Sequence, residues 1–437
     1  MDARTAHAMI RFGLGRRGTE APPADPLAWL ASQVESPDPA VFDPRLPNTA
    51  DGLTVLREQN KLRLTGPDSL VRPLLEEDAA AHAANVLSTT APFRERLVLF
   101  WANHFTVSLR NGRVAAVIGP YLREAIRPNV TGSFAGLLLA VMRHPAMLMY
   151  LDNGGSVGPN SRAAQNGNPN GNPNRRGLNE NLARECLELH TVGAAANYTQ
   201  TDVTEFAKVL TGWSLEMQSL TPGFLFREGA HEPGSKTLMG RRFGPGEAGG
   251  LEALSFLAHH PATHRHLATK LVRHFVADTP PPDAVRSIEG VLRDTGGDLA
   301  AASLALLRLP AAWSPLTKLR APVDFAIAAL RALDLPPDKL PPLRGSLQAM
   351  GQPLWNAPLP NGWPDVAAEW TSPEAVMRRI DWSHGLAGRA RDQDPAEIAD
   401  AALGPLLRPA TRDAMRHAGS RRDALTLFLT SPEFQRR

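Results

Sequence analysis

The segment NENLARECLELH, residues 179–190, combines three glutamates, an arginine and a histidine within twelve positions. In an α-helix, successive side chains are about 100° apart, so most of these polar groups share one arc. That arc holds Glu180, Asn181, Arg184, Glu185 and Glu188. Glu185 and Glu188 are three residues apart and could bind one divalent metal ion, whereas Glu185 and His190 lie on opposite sides. The alternative is a solvated helix face with an ordinary Glu180–Arg184 ion pair.

A second candidate is the motif FWANHF, residues 100–105. His104 shares a predicted helix face with Leu97 and Trp101, and Asn103 beside it could fix the tautomer of a histidine. A histidine on an apolar face is either a hydrogen-bonded core residue or a ligand, and the motif leaves both uses open.

Two further motifs contain histidines at chemically useful spacing. In HEPGSK, His231 and Lys236 flank a tight turn, which suits phosphate or carboxylate binding, although a Pro-Gly hairpin with solvated charges explains them equally. In HHPATHRH, His260 and His264 have metal-chelating spacing but no HExxH glutamate, and capping of a helix start is the simpler use of His260. Dinucleotide, Walker, GxSxG and kinase signatures do not occur.

Amphipathic helices must position these motifs, because apolar residues recur at three- and four-residue spacing along the chain. Pro92 and Pro261 suit the first turns of two such helices. Only residues 223–243, with Pro233-Gly234 as a turn, alternate as strands do and predict a small β-hairpin or two short strands. The predicted helical runs span residues 26–36, 92–106, 113–126, 133–143, 180–192, 202–212, 250–258, 262–277, 283–294, 298–308, 321–333, 372–386 and 422–431.

The fold class that follows is mainly α, a compact multi-helix single domain spanning residues 1–437. Only one segment resembles a linker, GGSVGPNSRAAQNGNPNGNPNRRG at residues 154–177. This stretch consists almost entirely of Gly, Asn, Pro, Ser and Arg, and cannot bury enough apolar surface to order itself. We therefore predict a flexible Asn/Gly/Pro-rich loop there.

Composition limits the function classes. The chain has 43% hydrophobic residues and a net charge of only +3, so it is predicted to be globular and nucleic acid is not indicated. A single cysteine, Cys186, excludes an internal disulfide, a Cys-based zinc site and an iron–sulfur cluster. Neither a signal-peptide apolar run nor a membrane span is present. The chain as written is expected to be cytoplasmic, or periplasmic or secreted if an export signal has been removed.

Several longer motifs, taken in order, carry a resemblance that covers the chain from about residue 5 to the C-terminus. Together they resemble the uncharacterised bacterial family catalogued as domain of unknown function 1800. The motifs are FWANHFTVS, YLDN, NENLARECLELHTVG, YTQTDVTEFAKVLTGWS, HEPGSKTLMG, HPATHRHLATKLVRHFVAD, KLRAPVDF and MGQPLWNAPLPNGWPD.

This resemblance implies a mostly helical protein but no established reaction. It also implies that many relatives carry export signals and are encoded beside secreted sulfatase-like proteins. The chain departs from the family pattern in two places. The position of Ala102 is commonly His in the family, which weakens a His-pair metal site, and the missing signal peptide weakens export.

The resemblance further suggests that the polar motif positions gather in one cleft, although a buried Arg184–carboxylate–His network that locks helices together would use them equally well. Those positions are Asn103, His104, Asn179, Glu180, Asn181, Arg184, Glu185, Glu188, His190, Asp202, His231 and Lys236.

Two hypotheses of different class follow. In the first, the chain is an enzyme, a hydrolase or transferase, in which Glu185, Glu188, His104 and His231 are catalytic. A divalent metal ion could be its cofactor, held by Glu185, Glu188 and His104. The substrate-binding residues would be Asn103, Arg184 and Lys236. In the second, the chain is a non-catalytic binding or maturation partner of a secreted sulfatase-like protein, with the Asn-rich loop as its contact surface.

Overall fold

The computed structural model describes residues 1–18, 20–166 and 177–437. α-Helices, together with short 3-10 and π-helical segments, account for most of these residues, which confirms the predicted mainly α fold. None of the helices in the described residues combines the length and the apolar composition that a membrane crossing needs.

The first half of the chain folds into short and medium helices. Pro92 and Pro261 occupy the first turns of α5 and α13, as predicted, and His260 caps α13 by accepting a hydrogen bond at Nδ1 from the Ala262 N–H. The bounds are α1 Ala3–His7, α2 Pro26–Glu35, α3 Thr49–Leu62, α4 Val71–Ser88, α5 Pro92–His104, α6 Ile118–Pro120, α7 Phe134–Arg143, α8 Pro145–Tyr150, α9 Arg162–Gln165, α10 Asn181–Glu185, α11 Gln200–Val209, α12 Gly246–Ala258 and α13 Pro261–Phe275.

The second half continues in the same way. Many of its helices begin at proline, whose fixed φ suits the first turn and whose missing N–H costs nothing there. The bounds are α14 Pro282–Asp294, α15 Leu299–Arg308, α16 Pro322–Leu333, α17 Leu343–Ala349, α18 Pro373–Arg389, α19 Pro395–Leu403, α20 Pro409–Arg416 and α21 Arg421–Thr430.

The strand region contains two antiparallel hairpins in the described chain rather than one. Strand β1, Trp213–Glu216, pairs with β2, Gly223–Phe226, and strand β3, Lys236–Leu238, pairs with β4, Arg241–Phe243. The predicted hairpin near 223–243 is therefore present as β3–β4, but its tight turn is Met239-Gly240, not Pro233-Gly234. Both turn residues have positive φ, 47° and 78°, as a two-residue hairpin turn of the primed kind requires.

The opening motif does not form one continuous α-helix. Helix α10 ends at Glu185, and a π-helical turn, Cys186–His190, follows it. The wider turn changes the angular positions of all side chains after Glu185, so the straight-helix projection used for residues 180–192 does not apply to Glu188 and His190.

Buried apolar side chains form two clusters. One contains residues from α5, α7, α13 and their neighbours, including Phe12, Trp101 and Phe275. The other contains residues from α16 to α21, together with Ile10, Leu14 and Val86. The residues around Phe12 thus contribute to both clusters. The single-domain prediction stays a prediction, but the two clusters meet along this N-terminal segment.

Part of the Asn/Gly/Pro-rich loop is described. At its base, the Val157 N–H donates to Gly177 O at 3.1 Å. The Glu232 carboxylate accepts from the Asn160 backbone at 2.8 Å and from its side-chain amide at 2.6 Å. Residues 167–176 lie outside the described residues, and the predicted flexibility and contact surface there stay predictions.

Candidate functional site

Arg184 and Glu185 at the end of α10, and Glu188 in the π-helical turn that follows, are partly exposed. Arg184 donates to Glu180 at 3.1 Å and to Gln200 at 2.9 Å. Glu185 and Glu188 have no hydrogen bond or ion pair to the described residues. Burial raises the pKa of Glu185, and the neighbouring charge of Glu188 raises it further. The pair is therefore two half-buried carboxylates that repel each other.

His231 and Lys236 are brought together, but in a fully bonded arrangement. His231 Nδ1 donates to Thr211 O at 2.8 Å, and its Nε2 accepts from the Gly246 N–H at 2.9 Å. The Lys236 Nζ lies 2.9 Å from the same Nε2 and also donates to Glu232 O. Burial lowers the pKa of Lys236 to about 8. These contacts connect the hairpins to α12 and use the donors and acceptors that a ligand would need.

The predicted metal ligands do not fit a metal ion as a set. The described residues contain no group of three or more His, Cys, Asp or Glu side chains placed to hold one. Glu185, Glu188 and His104 thus do not form such a group, and we derive no chemical step through a metal.

His104 is buried and satisfies backbone at the end of the π-helical turn. Its Nε2 donates to His190 O at 3.1 Å, and His266 of α13 donates from Nε2 to the preceding carbonyl, Leu189 O, at 3.0 Å. Helix ends leave carbonyls without intrahelical partners, so the two histidines complete this end. His104 Nδ1 remains buried without a hydrogen bond in the described chain. Burial, followed by the nearby charge of Lys270, holds the His104 pKa well below its usual range.

Beside His104 lies a cavity of about 460 Å³ between α5, α13 and the segment 350–366. This volume is typical of small-molecule sites. Its apolar wall includes Val98, Leu99, Phe100, Leu354, Trp355 and Trp363. A larger surface depression of about 860 Å³ lies beside α1, whereas His104, Lys270, His274 and Asp365 line the smaller cavity.

One face of α13 supplies the polar wall of this cavity. His266, Lys270, Arg273 and His274 line it, whereas Leu267, Leu271 and Val272 on the other face are buried in the apolar core. Residues three or four positions apart share one face of a helix. The basic side chains therefore form a row along the cavity.

Lys270 differs from the other lysines. The chain has six, and five of them have a carboxylate, a histidine or a carbonyl as partner: Lys61, Lys208, Lys236, Lys318 and Lys339. Lys270 has no hydrogen bond or ion pair within the described residues. Burial lowers its pKa to about 8, opposed by Asp365 and assisted by Arg273. Arg273, one turn along the same face, likewise has no partner within residues 1–18, 20–166 and 177–437.

The two carboxylates of the cavity wall, in contrast, are already matched by cations. Asp365 Oδ2 accepts from His274 Nδ1 at 2.7 Å, and Oδ1 lies 3.1 Å from Lys318 Nζ. Asp324 pairs with Arg96 and with Arg437, each at 2.8 Å. Burial alone would raise the pKa values of both carboxyl groups, but these partners hold them well below the usual range. Lys270 and Arg273 are therefore the positive charges of the cavity wall that no carboxylate of the described residues pairs with.

Asn103 holds the opposite wall in place. Its amide donates to Trp363 O at 2.9 Å and accepts from the Trp363 N–H at 2.7 Å. The preceding Gly362 has φ of 79°, and a Cβ there would lie 2.4 Å from Asn103 O. The side chain predicted to bind substrate thus binds the loop that covers the cavity. In the same loop, Trp355 adopts a φ of 55°, a strained conformation for a bulky residue.

The sequence matches the family model described as Protein of unknown function (DUF1800) over residues 7–436. The chain belongs to this family. No curated protein and no solved structure matches it.

The cavity lies where several of the family motifs come together. Its walls are built from four of the motifs that carry the resemblance: FWANHFTVS at the end of α5, HPATHRHLATKLVRHFVAD on α13, KLRAPVDF at the start of α16 and MGQPLWNAPLPNGWPD over 350–365. His260 and His264 of the second motif were predicted as possible metal ligands or caps, whereas Lys270, Arg273 and His274 were not predicted as site residues. The signal that could have found them is a basic residue at every third or fourth position of an otherwise apolar helix.

Proposed function

We propose that the chain is an enzyme that binds a small organic anion with an apolar body in the cavity between α5, α13 and the segment 350–366. The observation that carries the proposal is the pair Lys270 and Arg273, two partly exposed cationic side chains that line this cavity without a partner in the described chain. Partial burial of a charge without a partner is unfavourable, so an anionic ligand would restore the balance.

The apolar wall supports the second part of this assignment. Phe100, Trp355 and Trp363 add aromatic surface to the cavity, and the ring centroids of Phe100 and His274 are 5.2 Å apart. Aromatic side chains bind flat apolar groups through area and ring geometry, and a few polar groups then fix orientation. A carboxylate or phosphate attached to an apolar or aromatic body matches this division.

The pair His274–Asp365 supports a catalytic role. With Nδ1–H donated to Asp365, the neutral ring has Nε2 free to accept a proton, and this atom has no partner in the described residues. Burial lowers the His274 pKa to about 4, although Asp365 opposes the shift, so the ring is a neutral base at physiological pH. A carboxylate-oriented histidine is a general base for hydrolysis or group transfer, the two reaction classes predicted from the sequence.

Binding is tested with tryptophan fluorescence, because Trp355 and Trp363 line the cavity. We expect phenylacetate and phenyl phosphate to bind and neutral benzyl alcohol to bind at least about tenfold more weakly, since a charged hydrogen bond contributes about 1.5–3 kcal/mol. Arg273→Ala and Lys270→Met should weaken anion binding by a similar factor. Arg265→Ala, an exposed residue of the same helix, is the control. Equal affinity for the alcohol, or no effect of either variant, would contradict the proposal.

Catalysis is tested separately by release of phenol from phenyl phosphate and from the monophenyl ester of succinic acid. Release should fall about 100-fold in His274→Gln, the usual effect of losing a general base. Binding without phenol release from either compound would limit the chain to a ligand-binding function. The role as partner of a sulfatase-like protein stays a prediction, and no contact of the described residues supports it over the enzyme.

A further inference from the structure

We infer that Lys270 bonds covalently to its ligand, forming an imine with the carbonyl carbon of a 2-oxo carboxylate bound in the cavity. This inference rests on the proposed function, because the carboxylate would occupy the anion site. It adds a reactive amine and a substrate class, a carbonyl compound with an adjacent carboxylate and an apolar substituent.

Lys270 alone among the six lysines both lines this cavity and lacks a partner within the described residues. Lys61, Lys208, Lys318 and Lys339 are held by carboxylates. Lys236 is more deeply buried than Lys270 and its pKa is lowered to the same value, about 8, but its Nζ donates to Glu232 O and contacts His231 Nε2. A lowered pKa alone therefore does not distinguish the two lysines. Access to a cavity and the absence of a partner in the described chain do.

The neighbours of Lys270 determine which carbonyl compound fits. Arg273 follows it by three residues on the same helix face, so the Cβ atoms of the two residues are roughly 5–6 Å apart and both side chains can reach one small ligand. In a 2-oxo acid the carboxylate is bonded directly to the carbonyl carbon, so one group can meet Arg273 while the other meets Lys270. The aromatic wall of Phe100, Trp355 and Trp363 would receive the substituent.

The bond changes balance without an oxidant or reductant. The lone pair of the free amine forms a C–N bond to the carbonyl carbon, and the C=O electron pair takes a proton to give a hydroxyl group. The nitrogen gives up one proton, a second proton from solvent lets the hydroxyl group leave as water, and the nitrogen lone pair forms the C=N bond of a protonated imine. We assign His274, which lines the same cavity, as the acceptor of the proton that nitrogen loses.

The experiment uses the full chain with phenylpyruvate as probe and sodium cyanoborohydride to reduce any imine to a stable amine. Peptide mass mapping then measures the labelled fraction of each of the six lysines. We expect Lys270 to be labelled at least tenfold more than Lys236, the buried control, and Lys339, the exposed control. Lys270→Arg should abolish this label. Arg273→Ala should reduce labelling by phenylpyruvate more than labelling by phenylacetaldehyde, which has no carboxylate.

The outcomes separate this inference from the proposed function. Phenyllactate, which has the carboxylate but no carbonyl, is titrated in parallel by tryptophan fluorescence. If phenyllactate binds but Lys270 is not labelled, the inference is overturned and anion binding stands. If neither compound occupies the cavity, both fail. Labelling spread evenly over the lysines also overturns the inference. Circular dichroism and thermal unfolding of Lys270→Arg and a second variant, Lys270→Met, show whether each is folded.

Discussion

The Nδ1 atom of His274 lies 2.7 Å from the Oδ2 atom of Asp365, across two segments separated by 91 positions in the sequence. This contact fixes the histidine tautomer, because a carboxylate accepts and the ring must donate from Nδ1. We expect long-range nitrogen–proton NMR spectra to show His274 as the neutral Nδ1–H tautomer at neutral pH. In Asp365→Asn the tautomer should no longer be fixed. An Nε2–H tautomer in the unaltered protein would contradict the assignment.

The charge network behind this contact should dominate local stability. Arg437 is buried, with Nε 2.8 Å from Asp324 and Nη1 donating to His274 O at 2.9 Å. Arg437→Ala leaves Asp324 with one cation fewer, and breaking a buried ion pair costs about 3–5 kcal/mol. Urea unfolding measures the change. Arg416→Ala removes an exposed pair with Asp413 and should cost less than about 0.5 kcal/mol. Equal effects of the two variants would show that the buried network contributes little.

Gly362 should be required for the loop that covers the cavity. In Gly362→Ala the new Cβ would lie 2.4 Å from Asn103 O at a φ of 79°, so the loop must shift. We expect lower thermal stability and weaker quenching of tryptophan fluorescence by phenylacetate. Gly345→Ala in α17 is the matched control, since its Cβ would meet nothing within 4 Å, and helix propensity should make it neutral or stabilising by up to about 1 kcal/mol. Similar losses in both variants would contradict this role.

Stability should fall as the pH decreases from neutral, in part because of His266. Burial, followed by the charge of Lys270, lowers its pKa from 6.5 to about 4 in the folded protein. Between these values the unfolded chain binds a proton that the folded chain does not, so the free energy of unfolding decreases by up to about 1.4 kcal/mol per pH unit for this group. Urea unfolding across this range should show a shallower slope for His266→Gln. The exposed His417→Gln should leave the slope unchanged.

Variants of Glu185 and Glu188 test whether the ligand binds at the glutamate pair predicted from the sequence or only in the cavity. Burial and mutual repulsion raise the Glu185 pKa, so Glu185→Gln should not destabilise the protein at neutral pH by more than about 0.5 kcal/mol. Neither Glu185→Gln nor Glu188→Gln should change the affinity for phenylacetate. If either one weakens binding as much as Arg273→Ala does, the anion site extends to the glutamate pair.

Local signals predicted much of the fold. Pro92 and Pro261 fixed the starts of α5 and α13 because a proline at the first turn acts within a few residues. Helices α3 and α4 were missed. The Asn48 and Asp51 capping box of α3 is a sequence signal, but its first turn contains Gly52 and its apolar periodicity is weak.

The site was harder to predict because its contacts are not local. Asp365 meets His274, Asn103 meets Trp363, and His104 meets His190 O over separations of 91, 260 and 86 positions. Spacing along one helix cannot indicate which distant segment packs against it. The π-helical turn after Glu185 also moved the predicted side chains, since one extra residue per turn rotates everything that follows.

The cavity has walls from both apolar clusters: Val98 and Phe100 belong to the first, and Leu347 belongs to the second. A ligand bound in the cavity would therefore contact side chains of both clusters and stabilise their packing against each other. Ligand binding should then slow amide hydrogen exchange in both α5 and α17, although the two helices are far apart in the sequence. Ligand binding would also make the two apolar clusters unfold in a single transition. The cooperativity of unfolding would then report whether the cavity is occupied.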